Sequence, residues 1–203
     1  MTDPLLFQQT ASRDSWQRLE ELISTHGHLL QVRTLAECTT SAGPLPLRSL
    51  SIGADRPEIP RLFVMGGVHG NERIGVEVVL SFLHTLLEHM RWNEHFAELF
   101  ERVRLIVVPI ANPTGFAAGT RATAAGIDLM RNAPIESRNA HWLVGGQKLS
   151  PWLPWYRGRQ MCPELEAITR LFDDETRDCP LTLSLDCHSG FGAVNRIWFP
   201  WAH

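Results

Sequence analysis

Apolar positions along the chain switch between two periods. Between Asp14 and Ser24, Trp16, Leu19, Leu22 and Ile23 recur at helical spacing, and the stretches Leu29 to Leu35 and Leu45 to Ile52 then read as strands parted by SAGPLP. Arg61 to Gly67 is a short apolar run ending in glycines. After it Val76, Val79, Leu80, Leu83 and Leu87 repeat at i, i+3, i+4, so the segment predicts a strand, a tight turn and a helix. Val103 to Ile110 predicts another buried strand. The connection from Asn112 to Trp155 is rich in Gly, Pro and Asn and unusually long, as functional loops often are. A helix from Pro163 to Phe172, with proline suited to its first turn, leads to a strand at Leu181 to Asp186 and a further one at Asn195 to Phe199. Strands alternating with helices predict an α/β fold, a single domain over 1–203 with a central mixed sheet flanked by helices.

Composition narrows the partners. The 203 residues are 44% hydrophobic and 20% charged, an ordinary globular balance, and the formal net charge of -3 argues against a general nucleic-acid binder. A small molecule or peptide is the expected partner. No apolar run is long enough to cross a bilayer. The opening MTDPLLFQQTASRDSW lacks the basic start and apolar run of a secretory signal, so a cytoplasmic location is expected. Cys38, Cys162, Cys179 and Cys187 form no CxxC pair, which leaves reduced thiols as the expectation.

Candidate chemistry gathers where strands meet loops. His69 and Glu72 lie in GGVHGNER and His188 in LDCHSG, 116 positions after Glu72. In open α/β sheets ligands collect at the carboxyl ends of strands. Two imidazoles and a carboxylate, with a fourth position open, form a known ligand set for catalytic zinc. Taken alone, His69 reads more simply as a turn histidine and Glu72 as a helix-start carboxylate stabilised by the dipole. His84, His89 and His95 lie in or just after a helix, and His26 and His28 flank a glycine with no matching acid in sequence. Trp142, Trp152, Trp155 and Tyr156 either line a pocket or cap the sheet, with packing the expected role.

Four segments in order, GGVHGNERIG, ANPTGF, GTRATAAGIDLMRN and SLDCHSGFG, make the stretch Leu62 to Gly192 resemble the zinc metallocarboxypeptidases of the carboxypeptidase A type. The resemblance implies one Zn2+ held by His69, Glu72 and His188. It makes Asp128 the aspartate that hydrogen-bonds the first ligand histidine, and Arg131 the arginine that receives the substrate's terminal carboxylate. Arg121 becomes the counterpart of the arginine that stabilises the tetrahedral oxyanion, and Ser189 joins the substrate-binding residues. The implied reaction is hydrolysis of an amide bond beside a free carboxylate by a metal-activated water.

Two departures accompany the match. Met130 stands where better-known members carry an asparagine that helps clamp the carboxylate, and a thioether cannot donate that hydrogen bond. The family's general-base glutamate lies well downstream of the last zinc ligand, yet no residue after His188 is acidic. The chain also stops on the aromatic segment RIWFPWAH, so the expectation is a domain that continues beyond His203. Two alternatives follow: a deacylase of N-acyl amino acids resembling succinylglutamate desuccinylase or aspartoacylase, and a non-catalytic module that holds zinc or a carboxylate.

Overall fold

The computed structural model describes residues 4–135 and 145–189, with side chains from residue 13 onward. The elements run α1 (Pro4–His26), β1 (Gln31–Thr40), β2 (Gly43–Ile52), β3 (Arg61–Gly66), α2 (Arg73–Trp92), α3 (Glu94–Ala97), β4 (Arg104–Val108), α4 (Pro113–Ala118), α5 (Leu129–Asn132), α6 (Pro163–Thr176) and β5 (Thr182–Cys187). The strand order is β1-β2-β4-β3-β5. β1, β2 and β4 pair antiparallel, whereas β3 lies parallel to both β4 and β5. Parallel neighbours need crossovers, and the segments carrying α2 and α6 supply them. The sheet is therefore mixed, as the alternation of elements predicts.

Each central strand is buried on both faces, which explains the unbroken apolar runs. On one face Leu105 and Val107 of β4 join Leu50, Ile52 and Val64 beneath α1 and α2, which contribute Leu19, Leu22, Val76, Val79, Leu80, Leu83 and Leu87. On the other, Ile106 and Val108 join Leu47 and Phe63 beneath Ala167 and Leu171 of α6. Burying one such aliphatic side chain stabilises the fold by about 1.5–3 kcal/mol. At the amino-terminal ends of β3 and β4 a charged cluster closes the sheet. Glu175 Oε2 accepts from Arg104 Nε at 2.9 Å and lies 3.8 Å from Arg61 Nε, all three side chains being buried. None of the described helices is long and apolar enough to cross a membrane.

Three departures of the elements from the periodicity have a local cause. Helix α1 starts at Pro4, ten positions before the amphipathic repeat (14 minus 4), because proline suits a first turn and nothing after it breaks the helix. Strand β1 continues to Thr40, past Leu35, because a bulge between Thr34 and Ala36 shifts the register and disrupts the period of two, while pairing with β2 carries on. The long connection holds two short helices. Asn112 caps α4 by accepting from the Gly115 N–H at 2.9 Å, and Gly119 ends it in the left-handed conformation at φ 65°. The expected strand at Asn195 to Phe199 and Trp142 lie outside the described residues.

Candidate metal centre

The centre stands at the carboxyl ends of β3 and β5. β3 ends in Gly66, and Gly67 turns the chain at φ 67°, a left-handed conformation that glycine enters without steric cost. Ala111 N–H donates to Gly66 O at 2.9 Å and Asn112 N–H to Gly67 O at 3.0 Å, so the turn is tied to the end of β4. Asn112 Nδ2 also donates to Val68 O at 3.4 Å and Arg121 O at 3.3 Å. One buried amide thus joins the segment before His69 to the loop that carries Arg121.

Glu72 is the N-cap of α2, yet its side chain makes no capping bond. Its Oε1 lies 2.8 Å from His69 Nδ1 and its Oε2 lies 3.1 Å from His188 Nδ1, while the Ser189 N–H donates to Oε2 at 2.8 Å. The helix-start reading of Glu72 is thereby displaced: the carboxylate has left the cap to gather two histidines. One ligand atom from each of His69, Glu72 and His188 lies within 4.8 Å of the other two, the one such group of metal-binding side chains among the described residues.

Each imidazole turns its other nitrogen toward a further carboxylate. His69 Nε2 stands 3.4 Å from Asp128 Oδ1, and His188 Nε2 stands 2.7 Å from Asp186 Oδ2. Asp128 is buried and its Oδ2 accepts from Arg121 Nε at 2.8 Å; Arg121 Nη1 lies 3.7 Å from Glu72 Oε1. Arg121 therefore stands beside the Glu72 carboxylate, anchored by one nitrogen.

These contacts set the charges. Burial alone would push Glu72 up, but hydrogen bonds with His188, His69 and the Ser189 N–H hold it well below the usual carboxylate range. Asp128, likewise desolvated, is brought down to about 2 by His69 and Arg121. For His69 burial favours the neutral ring, and the contacts with Asp128 and Glu72 outweigh it and raise its pKa. His188 is pushed up to about 9, first by Asp186 and then by Glu72. Carboxylates on both sides of an imidazole favour its charged form.

The donor set fits a zinc ion. Two imidazole nitrogens and one carboxylate converge, and a further carboxylate stands beyond each ring, 2.7 Å from His188 Nε2 and 3.4 Å from His69 Nε2, the arrangement that favours turning the near lone pair to a metal. Binding there needs a free lone pair on each ring, so it is opposed by protonation of either imidazole.

Other sequence-selected residues fall as follows. Ser189 contributes its backbone N–H to Glu72. Asp128 is the N-cap of α5, and Arg131 lies on that helix, its N–H donating to Asp128 O at 3.0 Å; Met130, between them, is exposed. Asp128 N–H donates to Tyr156 O at 2.8 Å, so the aromatic segment fixes the second-carboxylate loop through its backbone. Trp152 is 94% exposed, against the expectation that it packs. His84 and His89 lie in α2 and His95 in α3, away from the centre. His26 does have an acid: its Nε2 lies 3.3 Å from Glu88, a pairing between helices that sequence spacing does not reveal. All four cysteines are free thiols. Sequence reading passed over Asp186, although its position two residues before His188 on a strand puts both on one face.

Residues 17–203 match the family model described as zinc carboxypeptidase. Among curated proteins, carboxypeptidase D of Mus musculus is 27% identical over 118 residues, 56% of this chain and 8% of that protein. Carboxypeptidase SOL1 of Arabidopsis thaliana is 30% identical over 165 residues, 79% of this chain and 29% of that protein. The chain thus spans less than a third of either. Among solved structures, bovine thrombin-activatable fibrinolysis inhibitor, in complex with tick carboxypeptidase inhibitor, superposes with a TM-score of 0.66 at 15% identity over 88% of this chain and 60% of that one. That likeness concerns the fold.

Proposed function

The chain belongs to the zinc carboxypeptidase family, and from that premise we propose that His69, Glu72 and His188 hold one zinc ion for hydrolysis of an amide bond next to a free carboxylate. The convergence of the three ligand side chains within 4.8 Å carries this reading. Zinc, when bound, supplies Lewis acidity toward a carbonyl oxygen and makes a water acidic enough to attack near neutral pH. The protein's own residues do the rest.

Asp128 holds the His69 ring and anchors Arg121 through Nε, which leaves the remaining guanidinium nitrogens beside Glu72 to receive charge that develops on the substrate oxygen. Arg131, one helical turn after Asp128, is assigned the substrate carboxylate, for which a planar guanidinium offers a bidentate partner. Met130 beside it offers no donor, so carboxylate recognition rests more heavily on that arginine than in members with an asparagine there. The substrate is a peptide or an acyl-amino acid.

The test begins with metal content. The parent is expected to bind one equivalent of zinc, and His69→Ala and His188→Ala to bind none. The loaded protein is then given N-blocked dipeptides, the same dipeptides amidated at the carboxyl terminus, and N-acyl amino acids. Turnover of the free-carboxylate dipeptides alone, with KM raised in Arg131→Ala, supports the carboxypeptidase reading; turnover of N-acyl amino acids without the dipeptides replaces it with the deacylase one. A parent that takes up no zinc defeats both.

A further inference from the structure

Asp186 lies outside the ligand set, yet its side chain is committed to it. It is the fifth residue of β5, paired with Met65 of β3, and the pleat puts Ser184, Asp186 and His188 on one side of the strand. Asp186 Oδ2 lies 2.7 Å from His188 Nε2, the shortest ion-pair contact of either histidine at the centre. Its Oδ1 is buried and has no hydrogen-bond partner among the described residues. A carboxylate retained for the sheet alone would be paired with a cation or with backbone N–H groups, because burying an unpartnered oxygen is costly. The described partner of Asp186 is the His188 ring.

We infer that Asp186 is a positioning residue that keeps the proton of His188 on Nε2 and thereby presents Nδ1 to the zinc seat. The inference rests on the metal reading above and deepens it. A neutral imidazole carries its proton on either nitrogen, and with the proton on Nδ1 the lone pair points away from Glu72. A carboxylate oxygen 2.7 Å from Nε2 favours the proton on that nitrogen and so the other tautomer.

The two histidines are served unequally. Asp128 stands 3.4 Å from His69 and shares its charge with Arg121 at 2.8 Å, whereas Asp186 is closer to its histidine and has no cation on it among the described ion pairs. His69 is also buried, while the His188 side chain keeps 30% of its surface exposed, so packing restrains His188 less and the carboxylate matters more. The ring that most needs an orienting partner has the shorter contact.

The experiment uses the full chain with Asp186→Ala, Asp186→Asn and, as control on the same strand face, Ser184→Ala. Zinc dissociation constants are measured by competition with a chromogenic chelator. Asp186→Ala is expected to weaken zinc binding about 10- to 100-fold, Asp186→Asn to recover part of that loss because its amide oxygen still accepts from Nε2–H, and Ser184→Ala to match the parent. Nitrogen-resolved NMR of the zinc-loaded parent is expected to show His188 protonated at Nε2, which keeps the inference open to test should Asp186→Ala fail to fold. Asp186→Ala binding zinc within about threefold of the parent, or His188 protonated at Nδ1, overturns the role of Asp186 alone. A parent that binds no zinc overturns the metal reading and this inference with it.

Discussion

The carbonyl of Cys187 lies so close to Gly75 that a Cβ on that glycine would stand 2.1 Å from the oxygen. This approach lets the first turn of α2 sit directly against the end of β5, so it sets the distance between Glu72, which begins the helix, and His188, which follows the strand. Sheet geometry and ligand geometry are one constraint there.

Gly75→Ala is therefore expected to push β5 from α2. Overpacking of this kind costs about 1–3 kcal/mol, read by urea unfolding, and zinc affinity is expected to fall along with stability. A variant as stable as the parent that binds zinc equally well would show that the contact relaxes without moving His188.

Stability of the metal-free protein is expected to depend on pH through His188. Its pKa is pushed up to about 9 from 6.5, so the charged ring favours the folded state. The contribution is complete below pH 6.5 and is lost as pH rises through about 9. Its size is about 1–3 kcal/mol, allowing for partial exposure and for the carboxylates it is coupled to. Zinc affinity runs the opposite way and strengthens with pH over that window, because the Nδ1 proton has to leave. Thermal unfolding of metal-free protein that is flat from pH 6.5 to 9 would contradict the two-carboxylate arrangement around His188.

The cluster at the opposite end of the sheet separates stability from function. Glu175→Ala removes the buried carboxylate from Arg61 and Arg104 and leaves them the exposed Asp55 at 3.7 and 3.9 Å, and breaking a buried pair in this way costs about 3–5 kcal/mol. Zinc affinity of the folded fraction is expected to stay at the parental value, since the cluster lies where β3 and β4 begin and His69, Glu72 and His188 follow where β3 and β5 end. Unfolding reports the first and chelator competition the second. A Glu175→Ala protein of parental stability would mean the arginines find other partners.

The sequence by itself determined the order of elements and the strands buried on both faces, because each is a local signal: an apolar run or a helical repeat; it singled out His69, Glu72 and His188 as a ligand set only through the resemblance of their segments to family motifs. It also pointed to Asp128 and Arg131 through the resemblance of GIDLMRN to a family motif. Tertiary structure decided what depends on distance between remote segments. Strand order placed β3 between β4 and β5 and so brought His188 to Glu72 across 116 positions. It turned the Glu72 side chain from helix cap to histidine partner, gave His26 its acid in Glu88, and carried β1 beyond its apolar pattern through a bulge. Asp186 shows the boundary between the two. Its spacing from His188 is written in the chain, but whether a carboxylate two residues away meets the ring nitrogen depends on where β5 ends and which way the histidine turns, and that is fixed by the packing of β5 against β3 and α2.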